Sequence, residues 1–155
     1  MKSWIQLYSR FSTVVSYLQS PFLLAVRLYW GWQFVQTGWG KMHNIPKISG
    51  FFASLNIPFP TVSAELISGL EFFGGILLII GLGSRLIGLL LASNMFVAYC
   101  TAEHEALRAI FSDPGKFYVA DPFTFLFASL IVMIFGAGLF SLDAVLQKPL
   151  KARLL

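Results

Sequence analysis

Four polar or ionisable residues lie inside segments that are otherwise apolar, and their side chains are the best placed to do chemistry. They are Arg27, Gln33, Glu71 and Asn94. A charged side chain in the middle of an apolar span costs about 3 kcal/mol on membrane-insertion scales, so it needs a partner or a function. Counting about 1.5 Å per residue along each helix places these residues within reach of one another. We predict one polar site in the bundle, with Arg27 paired to Glu71.

This predicted site has two interpretations. In the first, it binds a ligand such as a quinone or moves protons, and the aromatic residues nearby line a flat apolar pocket. Burial favours the neutral form of a lone carboxyl group, so Glu71 is the candidate for proton transfer. In the second, Arg27 and Glu71 form a buried ion pair that only fixes how the helices pack. The residue types leave both interpretations open.

Metal and thiol chemistry receive less support from the sequence. His43 and His104 could approach each other beside the acidic residues of a later loop, but their spacing matches no metal motif, so they are weak candidates and no metal site is predicted. Cys100 is the single cysteine in the chain. One thiol cannot form an internal disulfide, which excludes a dithiol relay within this chain.

The elements that must position these residues are apolar helices. Of the 155 residues, 57% are hydrophobic and 12% are charged, whereas soluble domains carry about 25% charged residues. A membrane-spanning helix needs about 20 mostly apolar residues. Four segments qualify: Pro21–Trp39, Val62–Leu82, Arg85–Thr101 and Pro122–Leu142. The expected fold is all-α, a four-helix transmembrane bundle over residues 21–146, with a tight hairpin between the second and third spans.

The two flanks of this bundle differ in character. Residues 1–20 place apolar side chains on one helical face, which predicts an amphipathic helix in the membrane interface; a fifth element packed on the bundle is the alternative. Residues 147–155 form a basic tail. The side that holds the termini carries six Lys or Arg residues and the other side four, which predicts cytoplasmic termini. The basic residues are dispersed, so no nucleic-acid partner is expected.

Several short motifs occur in a consistent order along the chain. The first span contains R-L-x-x-G-x-x-F-x-x-x-G-x-x-K, the second a glutamate followed by Gly-Gly, and the hairpin G-L-x-x-R. The chain then ends its last span with G-A-G-L-F-S-L-D. From Ala25 to Leu146 this order resembles the DoxX family of small four-helix membrane proteins. The matching motif positions include Arg27, Gly31, Gly38, Lys41, Glu71, Gly74, Gly75, Arg85 and Asp143.

The resemblance implies a protein of the bacterial inner membrane, surrounded by lipid. The family is named for a subunit associated with thiosulfate:quinone oxidoreductase, and other members are linked to stress-related or sulfur-related membrane complexes. The resemblance therefore implies a subunit or accessory of a quinone-linked redox complex, with a protein partner. It implies no catalytic role for any of the motif positions.

Two other functions remain open from the sequence. The first is a non-catalytic scaffold or assembly factor, with residues 1–18 and the apolar loop Phe51–Pro60 as partner surfaces. The second is a small-solute transporter, for which four spans are a minimal pore and a homo-oligomer is expected.

Overall fold

The computed structural model describes the backbone of residues 2–153 and the side chains of residues 4–147. Within that range the regular structure consists of eight α-helices, so the all-α class is confirmed. The helices are α1 (Lys2–Met42), α2 (Ile45–Ser54), α3 (Pro60–Ile80), α4 (Ser84–Thr101), α5 (His104–Arg108), α6 (Pro114–Val119), α7 (Pro122–Phe135) and α8 (Leu142–Arg153).

The first helix is longer than the sequence suggested. It runs without interruption for 41 residues and contains Pro21, so the predicted interfacial helix and the first span are one element. A proline removes one backbone hydrogen bond, but no glycine or asparagine cap stands beside it to end the helix. Residues 4–19 are exposed, and their position in a membrane interface stays a prediction.

The predicted hairpin between α3 and α4 is confirmed. Gly81 and Gly83 both have left-handed backbones, with φ of 73° and 61°, and they end one helix and begin the next. These two helices, of 21 and 18 residues, are long and apolar enough to cross a membrane. The hairpin is tight because glycine adopts this conformation at no steric cost.

The predicted fourth span is shorter in the structure. Helix α7 is apolar but has 14 residues, and it ends at Gly136, whose φ of 78° and ψ of −164° leave the helical region. Only glycine adopts such angles readily. Residues 136–141 therefore continue as irregular chain before α8 begins, and the predicted basic tail at 147–155 falls partly within α8.

The helices pack as two close pairs. Helix α1 lies antiparallel to α3, and α4 packs mainly against α7. A Cβ built on Gly75 would lie 2.6 Å from the carbonyl oxygen of Gly31, so these backbones touch. Helices α3 and α4 contact each other less, and α2 covers α3 beside the resulting gap. The two pairs share a core of Phe34, Leu78, Leu91, Met95 and Val132.

Candidate functional site

The centre of the candidate site is Glu71, on the buried face of α3. Its side chain is 1% exposed. The Nζ of Lys41, from the last turn of α1, lies 2.6 Å from Glu71 Oε1. The Nδ2 of Asn94, from the middle of α4, donates a hydrogen bond to the same oxygen at 3.0 Å. Three helices therefore place an ammonium, a carboxylate and an amide in one cluster, which we call the polar trio.

The packing of α1 on α3 explains why Lys41 reaches this position. Gly38 contacts the backbone of Phe72 so closely that a Cβ at this position would clash. Helical side chains lean toward the N-terminus of their own helix. Lys41, one turn after Gly38, therefore leans back along α1 to the level of Glu71.

The charges of the polar trio balance within the protein. Lys41 and Glu71 form an ion pair, which is how ionisable groups are usually accommodated inside a membrane. The Lys41 side chain is 32% exposed, so it connects the buried carboxylate with the surface. Glu71 Oε2 is buried and has no hydrogen-bond partner among the described residues. The pair is thus neutral overall but retains one unused acceptor.

An apolar cavity of about 540 Å³ adjoins the polar trio. Its walls come from the end of α1, from α2 and the chain that follows it, and from α3 and α4, and all three members of the trio line it. Several wall residues are exposed on the outer surface, so the cavity opens sideways between α3 and α4. The apolar wall is formed by Ile48, Phe51, Phe52, Leu55, Ile57, Leu66, Ile67, Leu70, Leu90, Met95, Val97 and Ala98.

The predicted pairing of Arg27 with Glu71 is wrong. Arg27 is buried, but its Nη2 donates to the carbonyl oxygen of Phe140 at 2.7 Å, and its guanidinium lies against Gly81. Along α1 it is 14 residues from Lys41, about 21 Å at the helical rise. Because α1 and α3 are antiparallel in this register, residue 27 meets the end of α3 and not its middle.

Of the other predicted site residues, the structure brings Asn94 to Glu71 and leaves Gln33 apart. Gln33 is half-buried on α1 and does not line the cavity. The sequence prediction missed Lys41 as the partner of Glu71. The signal was present in the spacing Gly-x-x-Lys at the end of the first motif, since a close-packed glycine brings the next turn of its helix against the neighbour.

The other motif positions hold the opposite end of the bundle together. The Asp143 carboxylate accepts hydrogen bonds from the backbone N–H of Gly83 at 2.7 Å and of Ser84 at 2.9 Å, which caps α4. The backbone N–H of Asp143 donates to the Gly81 carbonyl oxygen at 2.9 Å. Arg85 is exposed beside Gly136. These contacts and that of Arg27 with Phe140 join the hairpin and α1 to residues 140–143.

The two histidines lie outside the polar trio. His43 is exposed, and its Nδ1 lies 2.9 Å from the Trp39 carbonyl oxygen. His104 is exposed at the start of α5. Within the part of the chain that the structure describes, no three His, Cys, Asp or Glu side chains are grouped so as to hold a metal ion.

A surface ion pair joins α5 to α6. Lys116 Nζ lies 2.9 Å from Glu105 Oε2, and both side chains are largely exposed. The hydrogen bond and the charge of Lys116 lower the pKa of Glu105. The same contact raises the pKa of Lys116.

The fold and the site define a class: a small helical membrane protein with a buried ion pair beside a laterally open apolar cavity. The chain belongs to the DoxX family, whose model matches residues 22–104. That range includes Lys41, Glu71 and Asn94. The family membership predicted from the motifs is therefore confirmed.

The chain is also similar to a curated bacterial protein. The chain is 27% identical over 128 residues to a protein of Bacillus subtilis (strain 168) named "Putative oxidoreductase CatD". The aligned region covers 83% of this chain and 89% of that protein, so the similarity extends through nearly all of both. No solved structure matches this chain.

Proposed function

We propose that this protein binds a quinone-type ligand in the cavity beside the polar trio and serves a quinone-linked redox complex as a subunit or accessory. The observation that carries the proposal is the unused Glu71 Oε2 beside an apolar cavity of about 540 Å³. Binding sites for small ligands are mostly apolar, with a few polar groups that fix orientation. The membership in the DoxX family and the name of the Bacillus subtilis relative support a redox setting.

The residues of the cavity fit the chemistry of such a ligand. A quinone with its isoprenoid tail is a flat apolar molecule with oxygens at opposite edges of one ring. Lys41 and Asn94 supply N–H donors, and Glu71 Oε2 supplies an acceptor. The apolar walls suit the ring and the tail, and the sideways opening gives access from lipid. When bound, a quinone supplies an exchange of two electrons and two protons.

The chain itself contributes binding and proton handling. Glu71 Oε2 supplies the acceptor for a proton-bearing group of the ligand, while Lys41, which is partly exposed, links that carboxylate with the outside. Cys100 is a single thiol, so a dithiol relay within the chain is excluded. The electrons therefore come from or pass to a partner oxidoreductase.

We propose four membrane crossings in the bacterial inner membrane, with both termini in the cytoplasm. Helices α3 and α4 are two of them. The part of α1 that packs antiparallel on α3 supplies another, and α7 with the chain up to residue 142 supplies the last. The exposed residues 4–19 then follow the cytoplasmic interface, where their amphipathic face meets lipid.

Ligand binding to the purified protein in mild detergent tests the proposed function. We expect 2-decyl-1,4-benzoquinone to bind saturably, one molecule per chain, by isothermal titration calorimetry. Ala98→Trp fills the apolar wall and should weaken binding at least tenfold. Glu65→Gln, an exposed change on α3, should bind like the wild type. Non-saturable uptake that is equal in all three proteins would show partition into the micelle and refute the proposal.

A second candidate function is assembly of a membrane complex. It is favoured by the exposed N-terminal part of α1, which includes Trp4, Tyr8, Phe11 and Leu18. Deleting residues 2–18 should then abolish co-purification of the partner complex while the deleted protein still accumulates in the membrane. Unchanged recovery of the partner would reject a docking role for this segment.

A further inference from the structure

Glu71 Oε2, the carboxylate oxygen without a partner among the described residues, indicates which hydrogen-bonding groups a ligand of the cavity needs. Oε1 already accepts from Lys41 Nζ at 2.6 Å and from Asn94 Nδ2 at 3.0 Å. Oε2 accepts nothing from the described residues, although it is buried. Because an ionised carboxylate accepts hydrogen bonds and donates none, the group that completes this site must bring its own donor.

We infer that the cavity selects the hydroquinone form of its ligand over the quinone form, an inference that rests on the proposed function. A hydroquinone carries two O–H donors, and one of them satisfies Glu71 Oε2. A quinone presents carbonyl oxygens alone, which leave Oε2 without a donor and add lone pairs beside a carboxylate. A site built to hydrogen-bond a hydroxyl group rejects an analogue that lacks it, because a buried polar group is then left unpaired.

The ion pair makes this selectivity stronger. Lys41 and Asn94 both donate to Oε1, so among the described residues Oε2 is the carboxylate oxygen left without a partner. Hydrogen bonds to charged groups are stronger than those between neutral groups. We expect the hydroquinone to bind at least tenfold more tightly than the quinone. For a two-electron couple, a tenfold preference for the reduced form raises the midpoint potential of the bound couple by about 30 mV.

Three probes with the same alkyl tail test the inference by calorimetry without oxygen. They are 2-decylhydroquinone, its dimethyl ether and 2-decyl-1,4-benzoquinone. With the wild type we expect the hydroquinone to bind at least tenfold more tightly than either other probe. The ether controls for shape, since it retains the ring and the tail but has no donor. Equal affinity of the wild type for the hydroquinone and its ether would overturn the inference.

The variant Glu71→Gln should reverse the preference between hydroquinone and quinone. The contacts to Lys41 and Asn94 fix an acceptor at the position of Oε1, so the amide oxygen takes that place and the amide N–H₂ replaces Oε2. The cavity then presents a donor, and we expect the preference to shift to the quinone. Glu65→Gln, the same change at an exposed site of α3, should retain the preference of the wild type. A hydroquinone preference that persists unchanged in Glu71→Gln would overturn the inference.

The outcomes also separate this inference from the proposed function. Saturable binding of the quinone and the hydroquinone with equal affinity refutes the selectivity and leaves a quinone-type site in place. Failure of the wild type to bind any of the three probes saturably refutes the proposed function, and the selectivity with it.

Discussion

Replacing Lys41 by methionine should destabilise the bundle, because it leaves Glu71 as an uncompensated charge in the interior. Methionine preserves most of the length and the apolar stem of lysine but removes the ammonium 2.6 Å from Glu71 Oε1. Removing one partner of a fully buried ion pair costs about 3–5 kcal/mol. The Lys41 side chain is 32% exposed, so water already weakens the pair. We therefore expect a smaller loss, about 2–3 kcal/mol.

The thermal unfolding midpoint in detergent measures this loss. For a chain of 155 residues, each kcal/mol shifts the midpoint by about 2–4 °C, which gives a decrease of about 5–10 °C. The double variant Lys41→Met with Glu71→Gln removes both charges and should recover most of the loss, since no buried charge remains. Lys47→Met removes an exposed lysine of α2 and should leave the midpoint unchanged.

The double variant tests whether the loss of stability comes from the unpaired charge of Glu71. The expected loss comes from a buried charge without a partner, not from the missing side chain. If the double variant unfolds at the same temperature as Lys41→Met alone, removing the charge of Glu71 relieves nothing, and an unpaired buried charge is not the cause of the loss.

Two further predictions concern helix packing and the surface. Gly75→Ala should destabilise the protein by about 1–3 kcal/mol, because the new Cβ would lie 2.6 Å from the Gly31 carbonyl oxygen. Gly69→Ala, on the same helix, places its Cβ in open space and should be neutral or slightly stabilising. Thermal unfolding measures both effects. Lys116 lowers the pKa of Glu105 in the folded protein. Their contact therefore stabilises the fold fully at pH values above the pKa that Glu105 has in the unfolded chain. The stabilisation is lost as the pH falls through the lower pKa of the folded protein. Lys116→Met should raise the pKa of Glu105 in a carboxyl NMR titration, and an unchanged value would show that the pair does not form in solution.

The sequence accounts for the elements of this fold more fully than for their ends. Low charge and apolar runs of about 20 residues predict helices, because a helix satisfies its backbone hydrogen bonds within the segment itself. The connection of two residues, Gly83 and Ser84, between two apolar runs predicts the hairpin. The continuity of α1 through Pro21 and the end of α7 at Gly136 were not predicted. A proline lowers helix stability without deciding whether tertiary contacts keep the helix intact, and a glycine in an apolar run can stand in a helix or end it.

In the candidate site, too, the sequence predicts some features and the tertiary structure decides the others. From the sequence alone, Glu71 and Asn94 were identified as buried polar residues at a similar depth, since composition and the helical rise determine depth within a span. Their partner was decided by the tertiary structure. Whether Glu71 meets Arg27 or Lys41 depends on the register between α1 and α3, and that register is set where Gly38 contacts the backbone of Phe72. Arg27 and Lys41 lie 14 residues apart on α1, so the register of the two antiparallel helices decides which cation meets Glu71, and no count along a single helix contains that information.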